Sequence, residues 1–253
     1  MTVAAADSGA RPAGREFLQV SRRTGPLARY FYFLMTLAIV AVVAFGFSFT
    51  IGKNLIHPAV PRPAVLYVHA AVFSAWLVFF VAQSALVRAH KVAWHRRAGW
   101  FGAVLGALIP VVGTVTAVTM ARFNRDHLRA GHVEADLLIP LFDMLAFSSA
   151  FGLAIYWRKR PEFHRRLVLI ATCALTAAAF GRFPAYLLNP AFFYAGVDLL
   201  IALGAARDWL VERKVHPVYL WTLPAFAAGQ AAVMYTSLHD LPYWLRIAHA
   251  ILD

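Results

Sequence analysis

Four ionisable residues lie inside long apolar stretches of the sequence, where charged groups are rare. They are His69, Asp143, Arg182 and Asp198. At about 1.5 Å of rise per helical residue, each lies roughly 8 to 12 Å from the same end of its stretch. A charge in hydrocarbon costs at least about 2.5 to 3.5 kcal/mol, so such groups usually face a bundle interior and find partners. The pattern predicts a ligand-binding pocket near that end, with Tyr186 as a polar neighbour.

Three chemistries could use such a pocket. A divalent metal would be held by imidazole and carboxylate ligands, with His69 and His239 as candidates, although no ligand pair is spaced as i and i+4. A haem would need axial ligands, with His69 opposed by His239, Met144 or Met234. Alternatively, Arg182 could hold an anionic headgroup, a quinone oxygen or a substrate while a neighbouring group handles a proton. Depth alone leaves all three open.

A structural interpretation of the same residues is that they only fix the helix bundle. Asp143 and Arg182 could form a buried ion pair that sets helix register. His69 could donate to a backbone carbonyl, and Asp198 could cap the start of the sixth helix, where the helix dipole favours an anion. Each of these is as reasonable as a site, but all of them together are less expected.

An aromatic residue followed by His-Arg-Arg occurs twice, each time before an apolar stretch. The copies are Trp94, His95, Arg96 and Arg97, and Phe163, His164, Arg165 and Arg166. Arginines at helix ends commonly extend to lipid phosphates, and aromatics occupy the interface. In a sharper interpretation, His95 and His164 form a facing pair that binds a phosphate-bearing ligand or ligates a haem at the inner leaflet. Axial ligands usually sit deeper in a helix, which disfavours the haem.

The elements that position these residues are apolar stretches near the ~20 residues that cross a bilayer. Hydropathy predicts seven, which makes residues 30–238 an all-α integral membrane bundle: Tyr30–Ile51, Ala64–Val87, Ala98–Ala121, Ala135–Trp157, Leu167–Leu188, Phe192–Leu210 and Pro217–Leu238. Residues 1–29 lack apolar periodicity and are predicted to be a flexible basic arm on the cytoplasmic side. Residues 239–253 contain a short aromatic-rich helix, Leu241–Leu252, predicted to lie at the periplasmic interface.

Composition and charge agree with this architecture. The 253 residues are 61% hydrophobic and 14% charged, which excludes an ordinary soluble domain. Of the 24 Lys and Arg residues, most fall on the side of the N-terminal arm. This asymmetry predicts an inner (plasma) membrane protein with the N-terminus cytoplasmic and the C-terminus periplasmic or extracellular. The net charge of +12 then indicates attraction to anionic lipid headgroups on the cytoplasmic side, and no nucleic acid partner is expected.

Part of the chain resembles a family of uncharacterised multi-spanning bacterial membrane proteins that is defined only as a domain of unknown function. The similarity covers roughly residues 69–182 and depends on the two His-Arg loops and the intramembrane Arg182; the matching positions are His69–Trp76, Gln83, Arg88, His90–Gly99, Arg160–Arg166 and Arg182. The chain departs from the family at Leu167 and Val168, where the family has Trp-Met. The resemblance implies a multi-spanning fold and no particular activity.

Two other families fit less well. Two-haem cytochromes resembling the b561 type place histidine pairs inside four helices, whereas here only His69 lies clearly inside an apolar stretch. Seven-span zinc hydrolases of the progestin-receptor and ceramidase type are similar in span count and in an intramembrane His and Asp. Their seventh span carries His-x-x-x-His, whereas this chain has only His239 at the end of that stretch.

The leading functional hypothesis from the sequence is redox-linked binding of haem or quinone at the outer pocket. A second hypothesis is a transporter or small-solute binding protein that uses Arg182 and the carboxylates. A third is a structural or sensor subunit, and a fourth is a metal-dependent membrane hydrolase. The sequence leaves open whether the protein is an enzyme.

Overall fold

The computed structural model describes residues 25–253, in which helices are joined by loops and no strand is present. Most of the predicted arm, residues 1–24, lies outside the described residues, and the first helix among residues 25–253 begins at Pro26 rather than Tyr30. The helices are α1 (Pro26–Ser48), α2 (Ala64–Arg88), α3 (Val92–Leu128), α4 (Val133–Asp136), α5 (Leu138–Tyr156), α6 (Pro161–Ala174), α7 (Ala177–Phe180), α8 (Tyr194–Glu212), α9 (Pro217–Leu238) and α10 (Pro242–Leu252). A π-helical turn, Gly52–Ile56, follows α1, and a 3-10 turn, Pro190–Phe192, precedes α8.

Six helical segments in the described part of the chain are long and apolar enough to cross a membrane. They comprise α1, α2, α3, residues 133–156, residues 161–180 and residues 190–212. The predicted seventh span, α9, is a helix of 22 residues with a buried Gln230 and an internal Pro224, and it is not among the six. The chain is therefore a multi-helical membrane protein by length and composition, and the count of seven spans is not confirmed.

Two predicted spans are interrupted in the structure. The fourth, predicted as Ala135–Trp157, divides at Leu137 into α4 and α5. The fifth, predicted to begin at Leu167, begins at Pro161, because proline at the first helical position has its dihedral already set and no amide to satisfy. It breaks after Ala174, where the Thr176 hydroxyl donates to the carbonyl of Cys173 at 2.6 Å.

Close backbone approach between small residues sets part of the packing. A Cβ added at Gly46 of α1 would lie 2.4 Å from the carbonyl oxygen of Ala179 in α7. Only glycine allows this distance, and small residues let helices associate where lipid offers no hydrophobic driving force. The core that these helices enclose includes the fully buried Ile39, Phe147 and Ile170.

Helix α3 is longer than a bilayer requires. Its 37 residues extend over about 55 Å, compared with a hydrocarbon thickness of about 30 Å. The last turns pack with α4 and α10 into a second small core, formed by Ala121, Val133, Leu137, Trp244, Ala248 and Leu252. The Trp244 indole donates to the carbonyl of Glu134 at 2.9 Å, and Arg122 Nε donates to the carbonyl of Leu252 at 2.9 Å. We call this unit the outer shelf.

Candidate functional site

His69 and Arg182 lie close together at one end of the bundle. The His69 ring stacks on Phe73 with 3.9 Å between ring centroids, and His69 lies within electrostatic reach of Arg182. The guanidinium carbon of Arg182 is 4.4 Å from the ring centroid of Phe47, and Arg182 Nη1 donates to the carbonyl of Ala178. Both His69 Nδ1 and Arg182 Nε are buried without a hydrogen-bond partner.

The other residues of the predicted outer pocket make separate contacts. Asp143 is 8% exposed and accepts a hydrogen bond of 2.9 Å from the Tyr194 hydroxyl. Asp198 lies beside Gln230, and its Oδ1 has no partner. Tyr186 is 83% exposed.

Within residues 25–253, the possible ion pair between Asp143 and Arg182 is not formed. Among the described residues, no hydrogen bond or ion pair therefore joins any two of the four groups.

His239, the second candidate metal ligand, lies on the exposed end of α9. Its Nδ1 is 2.9 Å from the carbonyl oxygen of Tyr235, and the two rings are stacked. Over the described part of the chain, no group of three or more His, Cys, Asp or Glu residues could hold a metal ion.

At the opposite end of the bundle, the second His-Arg-Arg motif anchors a buried ionic network. Arg166 and Asp208 are both fully buried and form a bidentate pair, with Nε–Oδ2 and Nη2–Oδ1 distances of 2.7 and 2.8 Å. Arg166 Nη2 also donates to Glu212 at 2.9 Å, and Nη1 donates to the carbonyl of Glu162 at 2.7 Å. These contacts use four of the five N–H donors of the guanidinium, so Arg166 is held in one orientation.

Two further arginines complete this network. Arg207 Nη1 donates to Asp208 at 3.0 Å and to Glu212, and Arg165 Nη2 donates to Glu212 at 3.2 Å. The guanidinium carbons of Arg165 and Arg207 lie over the ring of Tyr32, at 5.3 and 5.6 Å from its centroid, respectively. Sequence reasoning did not single out Asp208 or Glu212. The available signal was two carboxylates one turn apart at the same end of the bundle as the basic loop.

An open cleft of about 700 Å³ adjoins the network, lined by Glu162, Arg165, Arg207, Val211, Glu212, Lys214, Val215, His216 and Pro217. Burial and, secondarily, the charge of Arg166 lower the pKa of His216 below its ordinary value. Both effects disfavour an additional positive charge. Neutral His216 can accept a hydrogen bond through Nδ1, and this atom lies 3.3 Å from the amide nitrogen of Val218, where it caps α9.

The structure brings the two motif histidines together. The ring centroids of His95 and His164 are 6.3 Å apart. His164 Nδ1 lies 3.0 Å from the carbonyl oxygen of Ala154, which favours a proton on Nδ1 and leaves Nε2 as an acceptor. Of the adjacent arginines, Arg97 lies over the ring of Trp94 at 5.7 Å and Arg96 lies within electrostatic reach of His95.

A cavity of about 90 Å³ lies between these histidines. It is lined by Trp76, Phe79, Phe80, Gln83, His95, Gly99, Gly102, Ala103, Phe151, Ile155, His164 and Val168. Three of the lining side chains carry buried polar atoms without partners, namely Trp76 Nε1, Gln83 Nε2, Gln83 Oε1 and His95 Nδ1. We call this the histidine cavity. Trp76 and Gln83 were not singled out as site residues from the sequence, although a glutamine seven residues after a tryptophan in an apolar stretch marks one helix face.

The unpaired polar atoms of the histidine cavity indicate that it holds a hydrogen-bonding partner. Each buried unsatisfied polar group costs about 1 to 3 kcal/mol, so four of them are a large cost for a purely structural feature. A cavity of about 150 Å³ holds one benzene and a water takes about 30 Å³. The histidine cavity, at about 90 Å³, therefore fits a few waters or the polar edge of one ring, and it cannot enclose a porphyrin.

The fold and these sites define an all-helical membrane protein with a polar cavity between two histidines at one end and a histidine-arginine pair at the other. No family model matches the chain, and no match was found among curated proteins or solved structures.

Proposed function

We propose that this is an inner-membrane protein that binds the headgroup of a lipid-soluble quinone in the histidine cavity. The observation that carries the proposal is the set of unpaired polar atoms of Trp76, Gln83 and His95, which surround a cavity with an otherwise apolar lining. A quinone ring complements such a lining, because it carries two polar oxygens on a flat apolar body. The outer pocket expected from the sequence has no comparable cavity among those described.

The hydrogen-bonding groups of the cavity suit both redox states of such a ring. A quinone carbonyl only accepts, and the Trp76 indole and the Gln83 amide nitrogen only donate. A quinol hydroxyl also donates, and the Gln83 carbonyl oxygen or the acceptor nitrogen of His164 can receive that proton. The site can therefore exchange hydrogen-bond roles with its ligand without a change of backbone.

The position of the cavity favours a ligand that arrives through the bilayer. Aromatic and aliphatic side chains form most of the lining, including Phe79, Phe151 and Val168. The cavity is partly open, so only the oxygen-bearing edge of a ring needs to enter while an isoprenoid tail extends along the helices. Burial of that tail contributes about 25 cal/mol for each Å² of apolar surface.

Binding of a benzoquinone with a short isoprenoid tail to the purified protein tests the proposal. Trp76→Phe keeps an aromatic ring and removes the indole N–H, so we expect the Kd in isothermal titration calorimetry to rise about threefold to tenfold, the value of one hydrogen bond. Trp221→Phe is the matched control, because Trp221 is 77% exposed and lies outside the cavity lining. Wild-type protein that shows no saturable binding would mean that the cavity holds water, and the proposal would be wrong.

The proposal includes the orientation that the charge asymmetry predicts, with the two His-Arg loops cytoplasmic and α9 as a seventh span. Membership of the family with two His-Arg loops is part of it, supported by the placement of both loops at one end of the bundle. Alkaline phosphatase, which is active only outside the cytoplasm, is expected to be inactive when fused after Lys214 and active when fused after Asp253. Equal phosphatase activity of the two fusions would show that α9 does not cross the membrane. Activity only in the fusion after Lys214 would overturn the proposed orientation.

A further inference from the structure

Arg182 is a permanent charge without a counter-ion in the described structure. A guanidinium stays protonated at every physiological pH and cannot shed its proton to escape burial. Of the two carboxylates that the sequence predicts at this end, Asp143 accepts a hydrogen bond from Tyr194, and Asp198 lies beside Gln230. No carboxylate among residues 25–253 forms an ion pair with Arg182.

The remaining contacts of Arg182 leave one edge of its guanidinium available. Nη1 donates to the carbonyl of Ala178, and Phe47 covers one face of the group. Neither Nε nor Nη2 donates to any residue that the structure describes, and Nε is buried. The pair formed by these two nitrogens is the fork that arginine uses to bind two oxygens of one anion.

His69, which lies within electrostatic reach of Arg182, supplies a third donor. Its Nδ1 is buried and unpaired, and stacking on Phe73 fixes the ring. Two guanidinium donors and one imidazole donor suit an oxyanion such as a lipid phosphodiester, whose two non-bridging oxygens can each accept more than one hydrogen bond. Arg182 lies two residues after the end of the apolar segment 161–180.

We propose that Arg182 and His69 form a phosphate site at the outer end of the bundle, occupied by the phosphate of an anionic lipid or by free phosphate. The bound phosphate supplies the missing counter-charge and joins α2 to the segment after α7. The site is at the opposite end of the chain's helices from the histidine cavity and does not depend on the quinone proposal.

The test uses delipidated protein in neutral detergent. Short-chain phosphatidylglycerol, short-chain diacylglycerol or inorganic phosphate is added, and the Tm of the protein and its affinity for each compound are measured. We expect phosphatidylglycerol to raise the Tm of the wild-type protein and diacylglycerol to leave it unchanged. For Arg182→Gln we expect the apparent Kd to rise about tenfold or more, as for the loss of charge-assisted hydrogen bonds. Arg246→Gln makes the same charge change at an exposed position of α10 and should bind as the wild type does.

The three added compounds distinguish a lipid headgroup from a free phosphate ion as the bound group. Stabilisation by phosphatidylglycerol alone identifies a lipid headgroup, and equal stabilisation by inorganic phosphate identifies a free ion. His69→Phe, which retains a ring for stacking on Phe73, gives an independent loss of affinity should Arg182→Gln fail to fold. The proposal is overturned if neither phosphate compound stabilises the wild-type protein, or if the folded variants bind as tightly as Arg246→Gln. Benzoquinone binding should be unaffected by either variant.

Discussion

Replacing Asp208 by alanine is expected to lower the free energy of unfolding by about 3 to 5 kcal/mol, the range for breaking a buried ion pair from one side. Asp208 and Arg166 are both fully buried, and their bidentate contact has donor-acceptor distances of 2.7 and 2.8 Å. Removing the carboxylate leaves Arg166 charged and shielded from water, with only Glu212 as a remaining carboxylate partner. Denaturation of the detergent-solubilised protein, followed by circular dichroism, measures the loss.

Glu212→Gln provides the matched control within the same network. The side chain of Glu212 is 34% exposed, so water can replace part of what the substitution removes, and we expect a loss of at most about 1 kcal/mol. The double variant Arg166→Met with Asp208→Leu removes both charges, and its stability should return most of the way to that of the wild type. If Asp208→Ala lowers the free energy of unfolding no more than Glu212→Gln does, the buried pair of Arg166 and Asp208 does not stabilise the fold as its geometry indicates.

Replacing Gly99 by leucine is expected to weaken benzoquinone binding roughly a hundredfold, or about 2.8 kcal/mol. Gly99 lines the histidine cavity, and a Cβ built there meets nothing within 4 Å. A leucine side chain therefore enters the cavity without displacing protein atoms, and it occupies the volume that the ring edge needs. Forcing both groups into one space costs about 1 to 3 kcal/mol, to which the lost hydrogen bonds add.

Gly152→Leu is the control for this substitution. Gly152 lies on α5, a Cβ there also meets nothing within 4 Å, and it is not part of the cavity lining. Both variants should retain wild-type circular dichroism and elution volume, and only Gly99→Leu should lose affinity in titration calorimetry. Gly99→Leu protein that binds as tightly as Gly152→Leu would place the ligand elsewhere.

The sequence predicts depth along the helices but carries no information on direction around them. His69, Asp143, Arg182 and Asp198 were assigned a common level from residue counts alone, because the rise per residue of a helix is fixed. Whether two of them touch depends on how each helix is rotated about its axis, and that is set by packing against neighbours. Asp143 consequently contacts Tyr194 rather than Arg182.

The histidine pair was easier to predict than the ionic network. Both His95 and His164 follow an even number of crossings from the same side, so topology alone places them at one end, and the structure separates their rings by 6.3 Å. Asp208 is one acidic residue near the end of a predicted span, where a solvated carboxylate is the ordinary interpretation. Its pairing with Arg166 requires α6 and α8 to be neighbours, and hydropathy carries no information about which helices are adjacent.

Helix α3 contributes to both ends of the molecule. Its first turns carry His95 and Gly99 of the histidine cavity, and its last turns support the outer shelf through Arg122. The only interior residue that cannot donate to the helical ladder is Pro110, near the midpoint. Because α3 is one continuous helix, a change in the tilt of its first turns also displaces the outer shelf at its other end. Bending at Pro110 would reduce that displacement.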